Sequence, residues 1–356
     1  MDFQPTPQQQ AVITHENGPV LVIAGPGSGK TFTLVERIVH LVVNKGVKPE
    51  QLLVATFTEK VAKEIVSRVA RRLMQEGVTV NVDEMYIGTL HSICLRLLEE
   101  HREFTRLKKN FTVMDQFDQS YFFFQHLREF EELAPVALLL KGERQTSRWK
   151  KATLLCGWMN KLSEEMLSAE SLMADPDEAI QALGKWYALY QKLLEQENLL
   201  DFSVIQLEAY RLLTQNQDSV LAPLREKIRY VMVDEYQDTN TIQERLLLLL
   251  LDEKKNICVV GDDDQGLYRF RGATIRNILE FAGHFPRGKC AVHSLTTNYR
   301  SDPGIITFYN GWMDGSVDGF SWQGADGTRF RYPKRIEPPT GKPALEAPVL
   351  RVSGSA

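Results

Sequence analysis

Residues Ala24 to Thr31 read AGPGSGKT, set between an apolar run (PVLVIA) and a helical pattern. Gly25, Gly27 and Gly29 let the backbone curl until successive N–H groups, that of Ser28 among them, converge on phosphate oxygens. The helix that starts there adds a favourable dipole. Lys30 would reach the β- and γ-phosphates of ATP, and the Thr31 hydroxyl would ligate Mg²⁺. The usual pattern opens on Gly, and Ala24 takes that position here. A second constellation, RYVMVDEYQD, places Asp234 and Glu235 at the end of another apolar run. In a parallel sheet that end faces the same crevice as the phosphate loop. Asp234 is suited to hold Mg²⁺, and Glu235 to orient and deprotonate an attacking water. A DE pair alone is common in solvated loops. Following a phosphate loop in one sheet, it points to hydrolysis of a nucleoside triphosphate.

These groups must be held by strands and helices, and the chain reads accordingly. Pro19–Ala24, Leu52–Thr56 and Met85–Gly88 read as strands, the first too apolar to alternate and so buried on both faces. Helices are expected over Lys30–Asn44 and Lys60–Gln75. From about Arg102 to Leu200 the pattern becomes helical, rich in aromatics and charge, without strand runs. Alternation then resumes with strands at Tyr230–Val233, Asn256–Val260 and Cys290–Leu295 and helices at Ile242–Leu251 and Ala273–Phe281. The fold class this predicts is α/β: a doubly wound parallel sheet with helices on both faces, interrupted by an all-helical insertion. The corresponding domains are 1–101 and 201–300 for the two parts of the ATPase fold, 102–200 for the insertion, and 301–356 for an extended linker and the start of another unit.

Composition sets wider bounds. The chain has 356 residues, 43% of them hydrophobic and 25% charged, with a net charge of −4. That is an ordinary globular balance, and any nucleic-acid path must rest on local positive charge. Cys94, Cys156, Cys258 and Cys290 lie far apart without metal-ligand spacing and read as free thiols. No signal peptide or membrane span is visible, so a cytoplasmic, membrane-free protein is expected. The basic face Lys60–Arg72 is explained equally well by DNA and by an ordinary solvated helix.

With further segments, these motifs resemble the UvrD/Rep/PcrA family of superfamily 1 helicases, RecA-like phosphate-loop NTPases that travel 3′ to 5′. The likeness runs from about Thr6 to Ser301 and keeps the family's order. TPQQQAV resembles the Q motif, ATFTEKVAKEI motif Ia, GTLHS motif Ib and LDFS motif Ic. VDEYQD resembles motif II, VVGDDDQGLYRFRGA motif III and LTTNYRS motif IV. The resemblance implies that Gln8 reads the adenine edge and that Tyr299 stacks on adenine. Gln265 and Arg300 would touch the γ-phosphate. Phe57, Thr58, His91, Phe202, Tyr268, Phe270 and Arg271 fall on positions that touch single-stranded DNA. Aromatic stacking and Arg–phosphate contact suit that partner without regard to sequence. A single/double-strand junction is a further partner the resemblance implies for the helical insertion.

Three departures stand out. Phe32 replaces the usual Arg after GKT, so Phe32 and Tyr299 would sandwich adenine without a cation. Glu59 replaces an Asn in motif Ia, and a carboxylate there repels DNA phosphate unless a basic neighbour such as Lys63 faces it. Phe270 stands where Trp is usual. The family also needs a second RecA-like domain with motifs V and VI, expected in a longer chain or on a partner protein. Without it, weak hydrolysis is expected. The competing reading is a nucleotide-gated DNA-binding or assembly module of a repair or phage-defence complex. A metabolic phosphate-loop kinase would leave the DNA-type aromatics unexplained.

Overall fold

The computed structural model describes residues 4–139, 147–266, 274–314 and 331–344. Its strands are β1 (Val20–Ala24), β2 (Leu52–Thr56), β3 (Tyr86–Thr89), β4 (Thr112–Val113), β5 (Leu199–Leu200), β6 (Tyr230–Val233), β7 (Ile257–Gly261) and β8 (Ala291–Leu295). The α-helices up to the middle of the chain are α1 (Pro7–Ile13), α2 (Lys30–Lys45), α3 (Glu59–Gln75), α4 (Leu90–Glu100), α5 (Gln116–Leu133), α6 (Arg148–Glu164) and α7 (Ala169–Met173). Those that follow are α8 (Glu178–Glu197), α9 (Phe202–Gln215), α10 (Ala222–Lys227), α11 (Thr241–Leu249), α12 (Ile275–Glu280) and α13 (Pro303–Met313).

Among the described residues six strands form one sheet in the order β3-β2-β6-β7-β1-β8. Every neighbouring pair is parallel. All residues of β1, β2 and β7 are buried, as their continuous apolar runs require. On one face Val20, Val22, Leu52, Val54, Met232 and Val260 share a core with Leu34 and Ile38 of α2 and Ile65 and Val69 of α3. Burying each such side chain contributes roughly 1.5–3 kcal/mol. The parallel arrangement has one consequence for chemistry. The loops after β2, β6, β7, β1 and β8 all leave from the same edge, in that spatial order.

The chain divides into two compact units. The sheet unit comprises Met1–Thr89, Arg225–Thr239 and Leu251–Ala356; the helical unit comprises Leu90–Leu224 and Asn240–Leu250. The helical unit therefore takes in more than the 102–200 segment expected from sequence. The cause is packing: α4 lies against α9, and α9 against α6 and α11. It is also not wholly helical, because β4 and β5 pair in parallel (Thr112 with Leu199, Val113 with Leu200). Two residues per strand are too few for a periodic pattern to show. Part of the segment read as linker likewise packs on the sheet unit, where Ile336 is 2% exposed. Among the described residues no helix is long and apolar enough to cross a membrane.

Two buried polar features hold these units in shape. In the sheet unit, Thr6 caps α1 and Gln9 closes a capping box with it. The carbonyls at the other end of α1 find a cation. Arg37 of α2, 2% exposed, donates from Nη1 to the oxygens of Val12 (2.6 Å) and His15 (2.7 Å). In the helical unit, Asp201 caps α9 by accepting from the N–H groups of Ser203 (2.7 Å) and Val204 (2.8 Å). Its other oxygen accepts from the Tyr190 hydroxyl and from Gln119 Nε2 (3.0 Å). Beside it Glu164 accepts from Ser203 Oγ at 3.1 Å. Burial pushes the Glu164 carboxyl up from 4.5 to about 7, helped by the charges of Asp201 and Glu165 and opposed by Ser203 and Lys161.

Arg37→Met keeps the stem and removes the donors. It is expected to cost about 2–3 kcal/mol, because the carbonyls of Val12 and His15 lose a charged partner; urea unfolding measures it. Glu164 gives a pH test. Its unfolded carboxyl ionises near 4.5 and its folded one near 7, so the folded state holds the extra proton between those values. Stability contributed by this site is present below that window and lost as pH rises through it. Glu164→Gln should therefore raise the melting temperature at pH 8 and leave it nearly unchanged at pH 4.5. An equal shift at both pH values would contradict the assignment.

Candidate functional site

The phosphate loop begins where β1 ends. Ala24 is the last, buried residue of that strand, and the Gly25 N–H donates to the Leu295 carbonyl of β8 at 3.0 Å. Ser28 is buried and its hydroxyl donates to Gly25 O at 2.7 Å. Gly27 and Gly29 have φ of +65° and +81°, a backbone region that L side chains disfavour. Both also lack room: a Cβ on Gly27 would meet Asn298 Oδ1 at 2.5 Å, and one on Gly29 would meet Gln9 Nε2 at 2.9 Å. Gly29 caps α2, and Lys30, Thr31 and Phe32 form its first turn. A helix of 16 residues thus points its free N–H groups and positive dipole end at the loop.

The end of β6 supplies the opposing carboxylates. Asp234 is 4% exposed and accepts from the Glu235 N–H at 3.0 Å. Glu235 adopts φ +51° and ψ +47°, a left-handed conformation that costs a non-glycine residue about 1 kcal/mol. That turn brings its carboxylate to Lys30, with Nζ to Oε2 at 2.6 Å. Burial raises Asp234 to about 7, the Glu235 charge adds to this, and Lys30 opposes it. Asp238 is pushed to about 6 by burial and by Glu235, again against Lys30. Its Oδ1 is buried without a hydrogen-bond partner among the described residues. The site is thus short of positive charge for the carboxylates it holds.

A polar chain runs on from this ion pair. Gln237 Nε2 donates to Glu235 at 2.9 Å, and Gln237 Oε1 accepts from the Asp262 N–H at 2.9 Å. Asp262 Oδ2 in turn accepts from Gln265 Nε2 at 2.5 Å. Lys30, Asp234, Glu235 and Gln265 therefore belong to one connected group at the ends of β1, β6 and β7.

The loop after β8 forms the other wall. Buried Asn298 accepts from the N–H groups of Arg300 (2.8 Å) and Ser301 (2.9 Å), which makes the turn tight. The Tyr299 N–H donates to Gly27 O at 3.0 Å. Tyr299 lines a small recess with Thr6, Gln8, Gln9, Ser28, Leu295, Thr296 and Thr297, of about 10 Å³, room for one water-sized group. Gln8 is exposed at its rim, whereas its neighbour Gln9 is buried and donates to the Ser28 carbonyl at 3.2 Å. Phe32 is half-buried in α2. The Arg300 side chain is exposed, and no ion pair engages it among the described residues.

The residues assigned to DNA are more scattered. Phe57 is half-buried just past β2, and Thr58 caps α3 by accepting from Val61 N at 3.3 Å. Glu59 accepts from the Thr89 hydroxyl at 3.1 Å. Along α3, Arg72 pairs with Glu36 at 2.7 Å and Arg68 with Glu64 at 2.5 Å, which leaves Lys60, Lys63 and Arg71 exposed and outside any described ion pair. In the helical unit Phe202 is 48% exposed, and His91 meets it edge-on with centroids 5.7 Å apart. Burial lowers His91 to about 4, so its ring is neutral, with Nε2 2.8 Å from the Gln206 amide nitrogen that donates to it. Tyr268, Phe270 and Arg271 lie outside the described residues.

The reading from residue types missed Gln9, Gln237, Asp238, Asp262 and Asn298 as parts of this centre. Gln9 was legible as the fourth residue of a Thr-x-x-Gln capping box. The others sit inside motifs already singled out, but only the fold shows which partner each one holds.

Would the donor set suit Mg²⁺? The Thr31 hydroxyl and the Asp234 carboxylate are hard oxygen donors, and a divalent cation would offset the charge that burial makes costly at Asp234 and Asp238. The residues fit such an ion.

Comparison with known proteins agrees with this geometry. The model of the UvrD/REP helicase N-terminal domain matches residues 5–286. A protein named ATP-dependent DNA helicase PcrA from Staphylococcus epidermidis is 34% identical over 304 residues, 85% of this chain. Its counterpart of the same name from Staphylococcus aureus is 35% identical over 306 residues, 86% of this chain. The chain spans 39% of the length of each of these relatives. With its phosphate loop, paired carboxylates and parallel sheet in the matched region, the chain belongs to the UvrD/REP helicase N-terminal domain family.

Proposed function

We propose that this chain is the ATP-binding half of a 3′ to 5′ DNA helicase motor, in which ATP hydrolysis is coupled to contact with single-stranded DNA. The observation that carries this reading is the Lys30–Glu235 ion pair, 2.6 Å long, at the mouth of a glycine loop that opens a helix. Phosphate arriving on the loop competes with Glu235 for Lys30. Once displaced, the Glu235 carboxylate is free to orient and deprotonate the attacking water. Thr31 and Asp234 would hold Mg²⁺, which when bound neutralises phosphate charge. Gln265 and Arg300 serve the γ-phosphate, and Gln8, Phe32 and Tyr299 the adenine. The small recess beside Tyr299 must widen to admit a base.

Single-stranded DNA is the partner suggested by exposed Phe202 beside neutral His91, by Phe57 and Thr58 at the end of β2, and by the exposed cations Lys60, Lys63 and Arg71 of α3. A second RecA-like domain, in a longer chain or on another protein, would supply the rest of the catalytic charge. The relatives are named as helicases, and unwinding by the present protein rests on such a domain.

The test is ATP hydrolysis by the chain with and without single-stranded DNA, beside Lys30→Ala. Stimulation by DNA that vanishes in the variant supports the motor reading. Binding of both ligands with flat hydrolysis would instead favour a nucleotide-gated DNA-binding module. Phe32→Ala should weaken affinity for an ATP analogue by about tenfold, the loss of one aromatic stack. Equilibrium titration measures it, and unchanged affinity would remove Phe32 from the adenine site.

A further inference from the structure

The carboxylates of Asp262, Asp263 and Asp264 lie within 4.8 Å of one another, an arrangement that could hold a metal ion. In this fold an ammonium group fills that place. Lys334 Nζ is 2.8 Å from Asp262 Oδ1 and 2.9 Å from Asp264 Oδ2, and it also pairs with Asp263. The Lys334, Asp262 and Asp263 side chains have no solvent exposure. Three buried carboxylates this close repel strongly, so their arrangement depends on the cation among them. Burial opposes the charge on Lys334, yet the three aspartates together hold it above the ordinary lysine range.

Lys334 belongs to a short segment that reaches both halves of the phosphate site. Next to it Arg331 pairs with Asp264 at 2.7 Å, and the Tyr332 N–H donates to Asp263 at 2.5 Å. Further on, Ile336 lies so close to the phosphate loop that a Cβ on Gly25 would fall 2.1 Å from its Cδ1. The Glu337 carbonyl accepts from the Asn298 N–H at 2.8 Å, and its own N–H donates to Thr296 O at 2.9 Å. Asn310 of α13 clamps Ile336 by two hydrogen bonds, at 2.7 and 3.0 Å. Residues 331–337 thus bracket the site, with one end on the aspartates and the other on the glycine loop.

Asp262 is the point where this bracket meets the chemistry. Its two oxygens are divided: Oδ1 faces Lys334 and also accepts from the Asp264 N–H at 3.1 Å, whereas Oδ2 accepts from Gln265 Nε2 at 2.5 Å. We propose that Lys334 is a positioning residue for phosphate sensing: it fixes Asp262, and through Asp262 it sets the place of Gln265. Docking of the 331–337 segment and recognition of a terminal phosphate are then one event. This rests on the ATP reading above.

The experiment measures affinity of the full chain for ADP and for a non-hydrolysable ATP analogue, in wild type, Lys334→Met, Gln265→Ala and the double variant. Wild type should prefer the analogue. Lys334→Met should lose about tenfold of that preference, the scale of one charge-assisted contact, while ADP affinity stays within about threefold. Gln265→Ala should lose a similar amount, and the double variant no more than either alone. Equal weakening toward both nucleotides, retained preference, or losses that add in the double variant would each overturn the proposal. If Lys334→Met does not fold, Lys334→Met with Asp263→Asn removes one surplus charge and carries the same comparison. Failure of that variant to fold as well would assign the bracket to stability alone, against the proposal. A wild-type chain that binds neither nucleotide would sink the ATP reading itself, and this inference with it.

Discussion

The sheet unit is organised around a shortage of positive charge at the carboxyl edge of its strands. Asp234, Glu235 and Asp238 leave β6 within five residues of one another, and the first and last are buried. One lysine, Lys30, opposes them. Burying ionised carboxylates without matching cations is costly, and burial accordingly drives Asp234 and Asp238 toward their neutral forms. Such a site favours ligands that bring cations, and its one lysine is held where an incoming anion can claim it. Much of the surrounding architecture maintains that imbalance: Arg37 fixes α1 against α2, Gln9 holds the loop at Ser28, and Asn298 turns the far wall.

A few residues along the edge, the same electrostatic problem receives the opposite solution. Asp262, Asp263 and Asp264 lie within 4.8 Å of one another, but Lys334 and Arg331 neutralise them from within the chain. Burial raises Asp263, while Asp264 is held below the ordinary carboxylate value because Arg331, Lys334 and Tyr309 together outweigh its burial. One acidic cluster is left short of cations where a ligand can supply them. The other is closed by a protein side chain and has become structure. The two are joined by Gln237, which touches Glu235 with its nitrogen and the Asp262 backbone with its oxygen.

How much of this could be read without the fold depends on the range of each interaction. The strands β2 and β6 were legible to the residue and β1 and β7 to within one, because a continuous apolar run bounded by polar residues or proline marks a parallel strand. The phosphate loop was legible because glycine spacing, lysine and hydroxyl all lie within one turn. Local capping at Thr6 and Gln9 was within reach for the same reason. Lys334 lies 72 residues beyond Asp262 in sequence, in the 301–356 stretch read as a linker and the start of another unit. A buried lysine carries no signature in its neighbours, since its partners come from elsewhere in the chain. The paired strands β4 and β5 failed for a related reason: two residues show no period, and only their partners define them.

The same distinction bears on how DNA contact could be coupled to nucleotide. Phe202 and His91 sit in the helical unit: Phe202 opens α9, which Asp201 caps while taking the Tyr190 hydroxyl and Gln119, and His91 is held by Gln206 of the same helix. The four donors to the Asp201 carboxylate are all neutral and come from three elements, which makes it a stiff platform. The loop after β7 is different. Its Gln265 donates to one oxygen of Asp262, and the other oxygen is shared by the Asp264 N–H and a cation that arrives with a separate segment. A shift of that segment changes the field at Gln265 without moving a strand of the sheet. On the proposed motor reading, the aromatic platform of the helical unit and the charge-held loop of the sheet unit are two different kinds of part. The physical chemistry of the chain assigns the adjustable role to the loop.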